Sequence, residues 1–208
     1  MIDLLFLDKG ICYCCQREPI VKYNLCQDCL DKLDYLANEF KISGNTCYSI
    51  YFYNDFMKKL IGSYKFNRNT SLAETFAMMA VDFIREKSLT DFDYILASPS
   101  SRKTLNHRGF DHIGLIVDYI SRELNIKEIS DFKKIKNTRA QHTLAKEERI
   151  DNLRGAFKLD RDIEGARILL VDDLITTANT ILEITKELKK RKAREVVSLA
   201  IASERGDW

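Results

Sequence analysis

Arg167-Ile-Leu-Leu-Val-Asp-Asp-Leu-Ile-Thr-Thr-Ala-Asn-Thr180 is the stretch on which the reading of this chain turns. Arg167 to Val171 is an apolar run of strand length with no Gly or Pro. It ends in two adjacent carboxylates, Asp172 and Asp173, followed by Thr176, Thr177, Asn179 and Thr180. An amphipathic helix then begins, with Ile181, Ile184 and Leu188 on one face. Strand, acidic pair, polar turn and helix start are what a sugar-phosphate site needs. Carboxylates accept hydrogen bonds from sugar hydroxyls, and the first helical turn offers free N–H groups and the positive dipole end to a phosphate. The carboxyl end of a strand is where open α/β sheets bind ligands. Ordinary capping explains one Asp or Thr here, but not two carboxylates and then four polar residues in the next seven.

Val171 to Thr180 resembles the phosphoribosyl-pyrophosphate (PRPP) signature of type I phosphoribosyltransferases. The resemblance implies that Asp172 and Asp173 hold the ribose 2′- and 3′-hydroxyls. It implies that Thr176, Thr177, Ala178, Asn179 and Thr180 wrap the 5′-phosphate. Ala178 stands where the family usually has Gly, whose lack of a Cβ lets backbone and ligand approach closely.

The 208 residues suffice for one good-sized domain and a small appendage. With 45% hydrophobic and 31% charged residues, a soluble globular protein is expected. A formal charge of +2 is too small to argue nucleic-acid binding by itself. No apolar run reaches membrane-span length. Residues 1–10 carry Asp3 and Asp8, lack a basic leader and are too short for a secretory signal, so they read as a short packed helix of a cytoplasmic protein.

Five of the six cysteines lie within residues 12–29. Cys12-x2-Cys15 and Cys26-x2-Cys29, ten residues apart, each offer two thiolates from one tight turn, and together they close a tetrahedral Zn²⁺ site. Closed four-Cys sites are structural, so no zinc chemistry is expected. Cys14 reads as a bystander or outer-shell thiol. Residues 30–45 have mixed helical character and end in the turn signal Ser43-Gly44-Asn45. That divides the chain into an N-terminal helix and zinc module, 1–45, and a main domain, 46–208.

The aromatic run Cys47–Tyr53 reads as a strand, at an edge or as a flap, and 55–66 as a short helix. Leu72, Phe76, Met79 and Phe83 mark a helix over 71–86. Asp93–Ser98 is the next strand. It runs into Pro99 and a second anion candidate, Ser100, Ser101, Arg102 and Lys103. Gly109 and Asp111 start another helix, with Arg108 facing the same cleft and His107 and His112 as surface or hydrogen-bonding groups. Residues 133–154 carry an excess of Lys and Arg, read as a solvated loop, a cationic flap over a polyphosphate, or a DNA-backbone track. Glu195–Ala202 is one more buried strand, and alternating strands and helices from 93 onward predict a parallel α/β sheet.

In their order, several fragments resemble the ComF (ComFC) proteins of bacterial DNA uptake. These are the four cysteines, Tyr64-Lys65-Phe66, Ser98-Pro99-x-Ser101, Arg108-Gly109-Phe110, Gln141, Arg149-x-x-Asn152-x-x-Gly155-Ala156-Phe157, and the Asp172–Thr180 motif. Asp111-His112 departs from the Asn-Gln usual in that family. The resemblance implies a type I phosphoribosyltransferase fold with a four-Cys zinc module. It implies PRPP bound with Mg²⁺, its pyrophosphate against Ser100–Lys103 with help from Arg108, and Asp172 and Asp173 as the catalytic pair. Transfer to an acceptor would rest on positioning and charge neutralisation. No acceptor-reading motif is recognised. Three functions stand open: a PRPP-dependent transferase of the DNA-uptake machinery, a non-catalytic single-stranded-DNA-binding competence factor, and a PRPP-responsive regulator. Other competence proteins would be partners.

Overall fold

The apolar run at 167 is the centre of a sheet. The computed structural model describes residues 10–67, 69–136, 153–176 and 179–204. After the cysteine turns and a one-turn helix α1 (Gln27–Leu30) come strands β1 (Tyr35–Ile42) and β2 (Asn45–Phe52), then helices α2 (Asp55–Phe66) and α3 (Leu72–Glu86). Strand β3 (Tyr94–Ala97), helices α4 (Arg102–Arg108) and α5 (His112–Leu124), and the short strands β4 (Lys127–Glu128), β5 (Lys133–Lys134) and β6 (Phe157–Lys158) follow. Strand β7 (Arg167–Ile175), helix α6 (Asn179–Lys190) and strand β8 (Glu195–Ser203) complete the described chain.

Six strands form one sheet in the order β1-β2-β8-β7-β3-β4, all parallel except the edge strand β1; β5 and β6 make a separate antiparallel pair. β7 and β8 lie inside the sheet and are buried on both faces, which is why they read as near-continuous apolar runs. Alternate side chains feed two cores. Leu169 and Val171 meet α3, α5 and the cysteine module, whereas Ile168 and Leu170 meet Ile181, Ile184 and Leu188 of α6.

Three expectations change. Residues 35–42, read as mixed helical, form β1, which pairs with β2, so the chain before residue 45 already runs in the main sheet. The signal was weak because β1 has a single fully buried residue, Ile42, and breaks register between Tyr35 and Asn38, with Ala37 at φ 47°. β2 is flanked by β1 and β8, so it is neither an edge strand nor a flap. β7 does not stop at Val171 but continues to Ile175, keeping both carboxylates in the strand. The helix expected in the first residues and the segment 137–152 lie outside the described residues.

The helix starts follow local chemistry. Asn54 caps α2 by accepting from the Met57 N–H at 2.8 Å, and Asp111 caps α5 by accepting from the Gly114 N–H at 3.1 Å. Gly109 closes α4 at φ 84°, the left-handed conformation that favours Gly.

Candidate functional site

The topology picks out one crevice. After β3 the chain crosses to β4 on one side; after β7 it crosses to β8 on the other. The order therefore reverses between the adjacent, parallel strands β3 and β7, and open α/β sheets bind ligands outside the carboxyl ends at such a switch point. Ala97 pairs with Val171, and the Ser98 N–H donates to the Val171 carbonyl at 2.8 Å. The segment Ser98–Lys103 thus leaves its strand directly beside Asp172 and Asp173.

Strand alternation sends the two carboxylates to opposite faces. Asp173 is buried on the α5 face, where the Lys65 ammonium of α2 pairs with its Oδ2. His112, the first residue of α5 and also buried, brings Nε2 to 3.7 Å from the same oxygen. Arg108 Nη1 donates to His112 Nδ1 at 2.5 Å, and the Tyr64 hydroxyl donates to the His112 carbonyl at 2.5 Å. Asp172 lies on the α6 face, half-buried, its Oδ1 accepting from the Asp173 N–H at 2.9 Å. Lys134, half-buried over Phe157, is close enough to feel the Asp172 charge.

Electrostatics separates the pair. Burial, followed by the neighbouring Asp173 charge, pushes the Asp172 carboxyl up to about 7. Burial also opposes ionisation of Asp173, but the Lys65 ammonium and His112 outweigh it and bring the carboxyl down to about 2. Burial, reinforced by the Lys65 and Arg108 cations and opposed by Asp173, lowers His112 to about 3. His112 is therefore a neutral imidazole at pH 7, and its approach to Asp173 is not an ion pair. With Nδ1 accepting from Arg108, the ring proton sits on Nε2, facing Asp173.

The motif pieces Tyr64-Lys65-Phe66 and Arg108-Gly109-Phe110 interlock here. Tyr64 and Phe110 rings lie 5.6 Å apart, the Arg108 guanidinium lies 5.8 Å over the Phe66 ring, and Phe66 is 71% exposed at the mouth. Arg108 does face the cleft; Arg102 and Lys103 are exposed, and Ser101 caps α4 by accepting from the Thr104 N–H at 3.1 Å. Ser100 is half-buried. Thr176 is exposed at the end of β7; Asn179 and Thr180 open α6; Thr177 and Ala178 lie outside the described residues. The sequence reading left Lys65 and His112 out of the site. Lys65 stood inside a quoted motif, and its position next to a buried Tyr was the only signal available.

At the other end of the chain, the sulfurs of Cys12, Cys15, Cys26 and Cys29 all lie within 4.8 Å of one another. Zn–S bonds of about 2.3 Å in a tetrahedron put sulfurs about 3.8 Å apart, and Cys15 and Cys26 are 3.6 Å apart, so the donor set and spacing fit zinc. Two antiparallel bridges, Ile11 to Pro19 and Lys22 to Leu25, shape the turns. Cys14 stands outside the four, within reach of Cys29, and Cys47 is buried in β2, in the core on the α6 face.

The family model of the phosphoribosyl transferase domain matches residues 114–208. The chain is 28% identical to the Competence protein F of Haemophilus influenzae, over 93% of this chain and 90% of that protein. It is 25% identical to the Competence protein ComFC of Bacillus subtilis, over 95% and 86%. The chain is thus similar over most of its length to ComF-type competence proteins, and over residues 114–208 to the phosphoribosyl transferase domain. Among solved structures it is similar to the adenine phosphoribosyltransferase of Leishmania tarentolae, at 12% identity and a TM-score of 0.46, covering 80% of this chain and 95% of that one. The fold is a mostly parallel sheet with flanking helices and an N-terminal four-cysteine cluster. Among the described residues, no helix is long and apolar enough to cross a membrane.

Proposed function

We propose that this protein binds PRPP with Mg²⁺ at the β3/β7 crevice and acts as a phosphoribosyltransferase-like component of the DNA-uptake machinery on the cytoplasmic side. The observation that carries the reading is the pair Asp172 and Asp173 at the topological switch point, followed at once by the polar start of α6. In this reading the carboxylates accept from the ribose hydroxyls, and Thr176–Thr180 hold the 5′-phosphate. Ser100–Lys103 and Arg108 face the pyrophosphate, and Lys65 adds a cation beside Asp173. A nucleophile would form a bond to ribose C1 as the C1–O bond to pyrophosphate breaks. The cationic side chains offset charge gathering on the leaving group, and Mg²⁺ when bound would supply further neutralisation. The cysteine module would hold one structural zinc, with thiolates suited to a reducing compartment.

Calorimetry with PRPP and Mg²⁺ tests the site. Saturable binding that disappears in Asp172→Ala/Asp173→Ala is expected; absence of binding, or binding unchanged in that variant, rejects the proposal. Pyrophosphate release in the presence of candidate acceptors separates a transferase from a regulator that only binds.

A second reading, single-stranded DNA binding, is favoured by one feature. Lys136, Arg154, Lys186 and Lys190 line a cleft of about 640 Å³ between the β5–β6 pair and α6. Glu183 and Glu187 share that cleft and pair with Lys186 and Lys190, which reduces its net charge. Backbone tracking there would show as a slope of log affinity on log salt of about −0.7 per phosphate engaged.

A further inference from the structure

A cavity of about 240 Å³ lies at the joint between the cysteine module and the sheet, on the face opposite α6. Leu30 and Leu33 close it from the module side, and Met79 and Phe83 of α3 form its floor. Tyr23, Tyr35 and Tyr51 supply three aromatic walls, with Tyr35 and Tyr51 set edge-to-face at 5.7 Å. Asp82 and Glu86, one helical turn apart on α3, are the lining residues that carry charge, and both are acidic.

Tyr23 donates to Asp82 at 2.7 Å and Tyr35 to Glu86 at 2.5 Å. Tyr51 is 5% exposed and lines the cavity. Burial, followed by the neighbouring tyrosines and the carboxylates Asp82 and Glu86, pushes the Tyr51 hydroxyl up, so Tyr51 stays neutral.

At the rim the walls already receive ammonium groups. Lys22 Nζ lies 4.4 Å from the Tyr23 ring centroid and 3.0 Å from Asp82; Lys87 Nζ lies 5.8 Å from the Phe83 centroid. Lys87 Nζ also lies 3.7 Å from Glu86, so each carboxylate meets a lysine from outside the cavity, and the lining itself holds rings and carboxylates. Aromatic faces and carboxylates together attract a cation with an organic stem. A hard divalent ion would find only two carboxylates among rings and methyl groups, which is a poor oxygen set.

We propose that this cavity is a binding site for a primary alkylammonium. The head would sit among Tyr23, Tyr51, Asp82 and Glu86, with the Tyr51 hydroxyl accepting from it. The methylene stem would lie along Leu30, Leu33, Met79 and Phe83. A free aliphatic diamine and a lysine side chain share this chemistry.

The test is titration of the zinc-loaded full chain with 1,5-diaminopentane, followed by calorimetry and tyrosine fluorescence. Saturable binding with a Kd of roughly 0.1–1 mM is expected. Glu86→Gln should weaken it about ten-fold. Tyr51→Phe, which removes one oxygen and leaves the ring, should weaken it roughly three-fold. Asp172→Ala/Asp173→Ala should leave it unchanged, since the crevice lies elsewhere. Nα-acetyl-lysine methylamide binding as tightly as the diamine identifies a lysine side chain as the occupant; a clear preference for the diamine identifies a free amine. No saturable signal up to about 10 mM, binding untouched by both cavity substitutions, or tighter binding of Ca²⁺ than of the diamine overturns the proposal.

Discussion

Lys65 in the last turn of α2 pairs with Asp173 in β7, and both side chains are largely withdrawn from water, 17% and 10% exposed. The pair joins a helix of the N-terminal half to the strand end that carries the acidic motif. Removing one partner of a buried ion pair leaves an uncompensated charge and costs about 3–5 kcal/mol. Lys65→Met should therefore destabilise the metal-loaded protein by about that amount in urea unfolding, and Asp173→Asn should do the same. The double variant should lose less than the sum, the coupling expected of direct partners. Additive losses would mean that the two groups act independently.

His112 makes folding sensitive to acid. Its folded pKa, about 3, lies below the ordinary histidine value of 6.5, so between these values the unfolded chain binds more protons than the folded one. Its contribution to stability is complete above pH 6.5 and is lost as pH falls toward 3. Asp172, raised to about 7, works in the opposite sense, so the comparison must be made against a variant. The stability advantage of wild type over His112→Asn should shrink steadily from pH 7 to pH 4. A constant difference across that range would show that His112 titrates normally.

Asp172 should make ligand affinity depend on pH. With its carboxyl near 7, a large share is protonated at pH 6, and ionisation completes above pH 8. A ribose diol donates to the ionised form. PRPP–Mg²⁺ affinity should rise about ten-fold from pH 6 to pH 8, the change expected when one proton must leave a group titrating near the middle of that range. Asp172→Asn should flatten the profile. Part of any rise will come from PRPP itself, and the variant corrects for it.

The fold was legible wherever burial imposed a period. Leu72, Phe76, Met79 and Phe83 marked α3, and the continuous apolar runs of β7 and β8 marked strands buried on both faces. β1 was not legible because it is a mostly half-buried, irregular edge that gains its partner from β2. In the site, Asp172, Asp173 and the cysteines announced themselves by local spacing. Lys65 and His112 did not, because their role depends on where β7 passes in space. His112 follows Asp111, whose capping was readable, but the burial of the imidazole against Asp173 comes from the packing of α5 on the sheet.

The cysteine module should contain one zinc per chain. Four sulfurs within 4.8 Å, three of the residues buried, would be held together by the metal rather than by a core of their own. Elemental analysis should give a stoichiometry near one. Cys26→Ser should lower metal content and the melting temperature together, whereas Cys14→Ser should leave metal content unchanged. A metal-free protein with an unaltered melting temperature after chelation would contradict the structural role.

The most direct test of the central claim is the structure of the protein in complex with PRPP and Mg²⁺. The predicted result has the ribose hydroxyls within hydrogen-bond distance of Asp172 and Asp173. The 5′-phosphate lies on Thr176–Thr180, and the pyrophosphate lies beside Ser100–Lys103. PRPP bound away from the β3/β7 crevice, or a crevice that stays without PRPP at saturating concentration, would contradict it.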